Sequence, residues 1–337
     1  MKMKKLIAAL LTGLVATSLM AGCGDDKKPA APKATAVKLN LPFEKVKMKQ
    51  GKEIELAKLN NVNKLSSFDT FDNPGAMAKI GDKLFIRNAN TNCISEAKLE
   101  GVDLKITKAD FVKNVFKKSY LSTDGTKLFY GDNKMQTCAV DANGQTSVIY
   151  PRFVYGVVAV PGKTAAMPFS SSSDIKMMDM SEGKIGKEIN LVIPKNRDGL
   201  LTTPNGLACD GTNAYLFGST LDGKMSVGAV GVYGLDGKQK YIIGRKHDKE
   251  RKPGYLASAG DIAVTSDFIY VVDKNIRQIN VFNKKDGQIV DFISADQLFN
   301  GQRGINLLTY AGNNVLALVK SAKKDEADKL FMLNMQK

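Results

Sequence analysis

A series of polar-Gly turns, a series of short apolar runs at the same spacing, and a last unit that stops one strand short together predict an all-β chain. Its predicted form is six four-stranded blades in a six-bladed β-propeller. The turns are Gln50-Gly51, Glu100-Gly101, Asn143-Gly144, Glu182-Gly183, Asp236-Gly237 and Asp286-Gly287, about 47 residues apart on average. Glycine suits them because tight hairpin turns place a residue at positive φ. The apolar runs are Lys83–Ile86, Lys127–Tyr130, Ala214–Phe217, Phe268–Val271 and Val315–Leu318, with Ala165–Phe169 filling the remaining slot less regularly. They read as second strands. A four-stranded sheet of this size cannot bury both faces alone, so units of this length stack around an axis.

In chain order, Lys2, Lys4 and Lys5 precede an uncharged apolar run, Leu6 to Met20. Fifteen residues fall short of the ~20 that span a bilayer, and the pattern is that of an export signal. The run ends in Leu19-Met20-Ala21-Gly22-Cys23, which resembles the lipobox of bacterial lipoproteins. The resemblance implies that residues 1–22 are a signal peptide, that Cys23 carries a diacylglyceryl thioether, and that the mature protein is extracytoplasmic and lipid-anchored to a bacterial membrane. An ordinary signal peptide with a chance Cys23 is the alternative. Residues 23–41 carry Pro29 and Pro32 and few large apolar side chains, so they read as a tether. Residues 42–337 form the propeller.

The last unit has Gly304–Thr309, Val315–Val319 and Lys329–Met335 and no fourth strand. Lys52 to Leu59 is therefore expected to supply the outer strand and close the ring, which removes an exposed edge. The clearest unit spans 259–294, with strands expected at Asp261–Val264, Phe268–Val272, Gln278–Phe282 and Gln288–Ile293. Ile262-Ala-Val, Ile269-Tyr-Val-Val-Asp273, Asn275, Gln278, Val281-Phe282 and Asp286-Gly287 resemble the NHL repeat, and Pro204 to Phe217 resembles it more loosely. That resemblance implies a six-bladed propeller and no single function.

The formal net charge is +15. Setting aside the three lysines of residues 1–22 leaves 15 − 3 = +12. The charge is carried by 42 Lys against seven Arg, which speaks against a dedicated phosphate clamp. An exported, Arg-poor chain is a poor nucleic-acid binder. Attraction to an anionic envelope polymer remains open beside a merely solvated lysine surface. His247 is the single histidine, so a multi-histidine zinc site cannot be built within the chain, and no CxxCH haem-attachment run occurs. The chain has no GxSxG elbow and no tryptophan platform for sugars. Lys176-Met-Met-Asp-Met180 reads as strand packing before a thioether copper site. Cys93 and Cys138 fall at similar places in successive units and read as free, partly buried thiols before an inter-blade bridge; Cys209 reads as core.

Asp132, Asp222 and Asp273 end second strands. If their loops converged they would offer oxygen ligands to Ca²⁺, as in gluconolactonase-like propellers; the plainer reading is backbone turn chemistry. The expected function is therefore that of an envelope interaction module with a protein partner, without a cofactor. The alternative is a calcium-assisted hydrolase or lactonase at the central channel.

Overall fold

Strand β19, Phe268–Asp273, shows why these apolar runs fold as they do: all six of its residues are buried. Side chains alternate across a strand, and here both faces are covered. Phe268, Tyr270 and Val272 pack with Ile305, Leu307 and Val315 of the following blade. Ile269 and Val271 pack with Tyr215, Phe217 and Val230 of the preceding one. A second strand thus needs a continuous apolar run, whereas an outer strand such as β9, Thr146–Tyr150, leaves three of its five residues exposed. Fully burying each large apolar side chain contributes about 1.5–3 kcal/mol.

The computed structural model describes residues 51–55, 74–100, 103–152, 154, 156–170, 174–194, 203–249, 254–293, 302–321 and 329–334. The expected signal peptide (residues 1–22), Cys23 and the expected tether lie outside them. The described residues form six four-stranded antiparallel sheets and no helix. In blade order these are β2 to β5 (Pro74–Ile80, Lys83–Asn88, Cys93–Glu100, Asp103–Val112) and β6 to β9 (Ser122–Thr123, Lys127–Gly131, Thr137–Asp141, Thr146–Tyr150). There follow β10 to β13 (Gly156–Ala159, Ala165–Phe169, Ile175–Asp179, Glu188–Ile193) and β14 to β17 (Thr203–Cys209, Asn213–Asp222, Met225–Gly234, Gln239–Gly244). The fifth blade is β18 to β21 (Ala259–Val264, β19, Gln278–Asn283, Ile289–Ile293).

The sixth blade joins β22 (Gln302–Ala311), β23 (Asn314–Ser321) and β24 (Lys329–Asn334) to β1 (Gly51–Glu55). Gly51 pairs with Leu333 and Glu55 with Lys329, so the amino-terminal strand closes the ring as the sequence predicts; residues 56–59 of the expected strand lie outside the described residues. All six expected second strands are found, and the glycines at 144, 183, 237 and 287 sit at positive φ between third and fourth strands. Inner strands differ from expectation in beginning earlier. β18 starts at Ala259 rather than Asp261 because a bulge between Ala259 and Asp261 inserts Gly260 while the pairing with Asp273 continues. The same irregularity opens β2, β14 and β22. Cys93 and Cys138 are buried free thiols, as expected. Cys209 is only partly buried, because the end of β14 faces the axis.

Candidate functional site

The six inner strands β2, β6, β10, β14, β18 and β22 surround a channel of about 380 Å³, within the size range of small-ligand pockets. Met77, Ser122, Val158, Leu207, Asp261 and Leu307 each bring one blade to its wall. Because neighbouring strands are antiparallel, the second-to-third-strand turns and the blade-to-blade connections share one face of the ring. The inner-strand bulges open on that same face, and cations gather there.

Arg87, near the end of β3, lies over Gly75 in the bulge of β2, and Lys274, just after β19, lies over Gly260 in the bulge of β18. A Cβ at either glycine would collide with these side chains, so the missing side chain is what lets each cation reach the channel wall. Lys118, on the connection from blade 1 to blade 2, lines the same channel. Arg87 Nη1 donates to the Lys117 carbonyl, while its Nε is buried without a hydrogen-bond partner. Burial lowers the Arg87 pKa from its ordinary value, though a guanidinium remains charged.

Asp261 is the single carboxylate among the described residues of the lining. Its Oδ1 accepts the Ile262 N–H at 2.9 Å and its Oδ2 accepts the Leu307 N–H at 3.0 Å, with Asn306 Nδ2 at 3.5 Å. It thereby ties the inner strand of blade 5 to that of blade 6. Burial pushes its pKa up to about 6 against the pull of these backbone donors and of the Lys274 charge. Tyr120 crosses the inner strand of blade 3 beside Gly156 and donates its hydroxyl to the Asn205 carbonyl of blade 4.

The three carboxylates proposed from sequence are placed otherwise. Asp132 Oδ1 accepts the N–H groups of Lys134 at 3.0 Å and Gln136 at 2.8 Å. Asp222 Oδ2 accepts the His247 N–H at 2.8 Å, and the His247 ring stands edge-on to Tyr255. Asp273 is fully buried: Oδ1 accepts from Asn275 and Ile276, and Oδ2 from Ala257 and Ser258. Each occupies the second-to-third-strand turn of a different blade and accepts at least one backbone N–H. Among the described residues, no group of three or more His, Cys, Asp or Glu side chains could hold a metal ion.

Arg87, Lys118, Lys274 and Asp261 carry no motif of their own. The available signal is a glycine opening an inner strand with a cation twelve residues on (Gly75, Arg87) or fourteen (Gly260, Lys274).

The same face carries an apolar projection. Strands β15 and β16 pair from Asn213 with Gly234 to Asp222 with Met225, but β14 pairs no further than Ser219 and β17 no further than Ala229. The hairpin therefore extends past both neighbours. All of residues 221–226 are exposed, with Leu221 at 53% and Met225 at 49%, and Met135 on the blade-2 turn of the same face is also exposed.

The chain matches no protein-family model and no curated protein. Solved structures similar to it include a chain from the crystal structure of a nidogen/laminin complex, at 13% identity and TM-score 0.49, covering 66% of this chain and 81% of that one. Another is a chain from the crystal structure of the mitotic checkpoint complex, at 13% identity and TM-score 0.46, covering 84% and 81%. Likeness at this level bears on neither activity nor partners.

Proposed function

We propose that the protein is an extracytoplasmic lipoprotein, anchored through Cys23, whose NHL-like propeller binds a protein of the cell envelope through the face that carries the β15–β16 hairpin. The observation that carries this reading is the exposed hairpin tip, where Leu221 and Met225 stand within two residues of the turn Gly223-Lys224, beyond the edge of the blade. Large apolar side chains held on a rigid projection are the kind of surface that a protein partner desolvates. A ring braced blade to blade, for example by Asn205 Nδ2 donating to the Ala259 carbonyl at 2.6 Å, holds such loops in place with little ordering cost on binding. Lipidation at Cys23 together with amino-terminal acylation would supply the two or more chains that stable anchoring requires.

The test places a photoreactive residue at Met225 in the full-length chain within intact cells, with a second at exposed Ile189 on the outer strand of blade 3. A discrete crosslinked species at Met225, absent at Ile189 and removed by Leu221→Asp, is expected. Equal labelling at both positions would sink the docking face. Cys23→Ser is expected to release the protein from the membrane fraction, and its retention there would refute the anchor.

A further inference from the structure

We propose that the axial channel is a binding site for a small organic oxyanion, a carboxylate or phosphate borne by a molecule small enough to enter between the inner strands. This site is separate from the hairpin tip and does not depend on the docking role of that surface.

The argument begins with the two paired substitutions of side chain for space. Gly75 and Gly260 open their inner strands with a bulge, and through each gap a long cation reaches the wall, Arg87 in one blade and Lys274 in another. A third glycine-and-side-chain pair, in blade 4, sets Gly206 just after the bulge and under its cross-strand partner Phe217, and shows that the space over an inner-strand glycine can equally be filled by an apolar ring. An apolar filling would suffice for packing alone. Cations in two of the gaps, joined by Lys118 on a third connection, make the wall positive where packing alone does not ask for charge.

The charges are also poorly compensated. Arg87 has one edge buried without a partner at Nε, and its single hydrogen bond among the described residues goes to a neutral carbonyl, that of Lys117. No ion pair joins Arg87, Lys118 or Lys274 to a described carboxylate. Such a guanidinium has lost water and gained no counter-charge, a state that an incoming anion relieves. Asp261 offsets only part of this charge: it feels Lys274, but it is one carboxylate among three cations, and its oxygens also receive the Leu307 and Ile262 N–H groups that bind blade 5 to blade 6. A channel of about 380 Å³ with three cations, one acceptor-rich carboxylate and the Asn306 amide suits a compact anion carrying an additional polar group.

The experiment uses the full-length chain in detergent and measures binding of sodium malonate and of inorganic phosphate by calorimetry at constant ionic strength, with chloride as the reference. Saturable binding of malonate, of phosphate or of both is expected, and the stronger of the two identifies the head group. Lys274→Gln, an exposed position, should weaken it about tenfold, which corresponds to ~1.4 kcal/mol. Arg87→Gln should weaken it at least as much, with its folding checked by thermal unfolding. Asp261→Asn should instead tighten malonate binding several-fold, because it removes the negative charge facing the ligand. Absence of saturable binding by either anion, or unchanged affinity in Lys274→Gln and in a folded Arg87→Gln, would overturn the proposal. The crosslink at Met225 is read independently of these titrations.

Discussion

Replacing Asp261 by Asn should stabilise the propeller at neutral pH, even though it removes a carboxylate that accepts hydrogen bonds between two blades. Burial in the channel wall moves the Asp261 carboxyl from its ordinary value of 3.8 up to about 6. The folded protein therefore holds a proton that the unfolded chain releases between those pH values. In that window stability falls as pH rises, because the unfolded chain binds fewer protons than the fold. At ~1.4 kcal/mol per pH unit the cost of ionisation reaches about 3 kcal/mol above pH 6, and water entering the channel reduces it toward ~1–2 kcal/mol.

Asn keeps one oxygen to accept the Leu307 N–H, so the blade 5 to blade 6 tie survives while the charge does not. The assay is denaturant unfolding of both proteins from pH 4 to pH 7.5. Near pH 4 the two should differ only by the constant cost of the altered hydrogen bonds. From pH 4 to pH 6.5 the difference should move in favour of Asn by about 1–3 kcal/mol, roughly 2–4 °C in midpoint per kcal/mol. A difference independent of pH would refute the buried ionisation.

Two other expectations test the ring and its turns. Deleting residues 51–55 uncovers β24, whose Leu330, Phe331 and Leu333 are buried, and should lower the unfolding midpoint by at least ~4 °C while promoting self-association through the bared edge; an unchanged midpoint would contradict ring closure. Excess Ca²⁺ followed by chelator should leave the midpoint unmoved, since Asp132, Asp222 and Asp273 are engaged with backbone in separate turns. A bound ion at a hundred times its dissociation constant would instead add about 2.7 kcal/mol, and such a gain would revive the calcium-assisted hydrolase.

The legible parts of the fold were those with local causes. Gly237 is readable because a hairpin needs positive φ there, and Phe268–Val272 because a strand packed on both faces calls for a continuous apolar run. Lys52 to Leu59 could be assigned to the last blade by counting alone. The site was much less legible. Asp132, Asp222 and Asp273 caught the eye as acids at strand ends, yet their carboxylates accept N–H groups of their own turn or of the adjacent blade connection rather than reaching a distant axis. Asp261 looked like one more strand residue.

The sequence by itself determined the blade count, the second strands, the turn glycines and the chain end that closes the ring, because each follows from period, backbone sterics or a missing partner within one unit. Only the tertiary structure decided that Arg87, Lys118, Lys274 and Asp261, which come from three different parts of the chain, share one channel. Their proximity depends on the angle at which six inner strands meet and on bulges at Gly75 and Gly260 that turn a long side chain toward the axis. No local pattern encodes that convergence, since Asp261 meets the Leu307 N–H only when blade 6 packs beside blade 5.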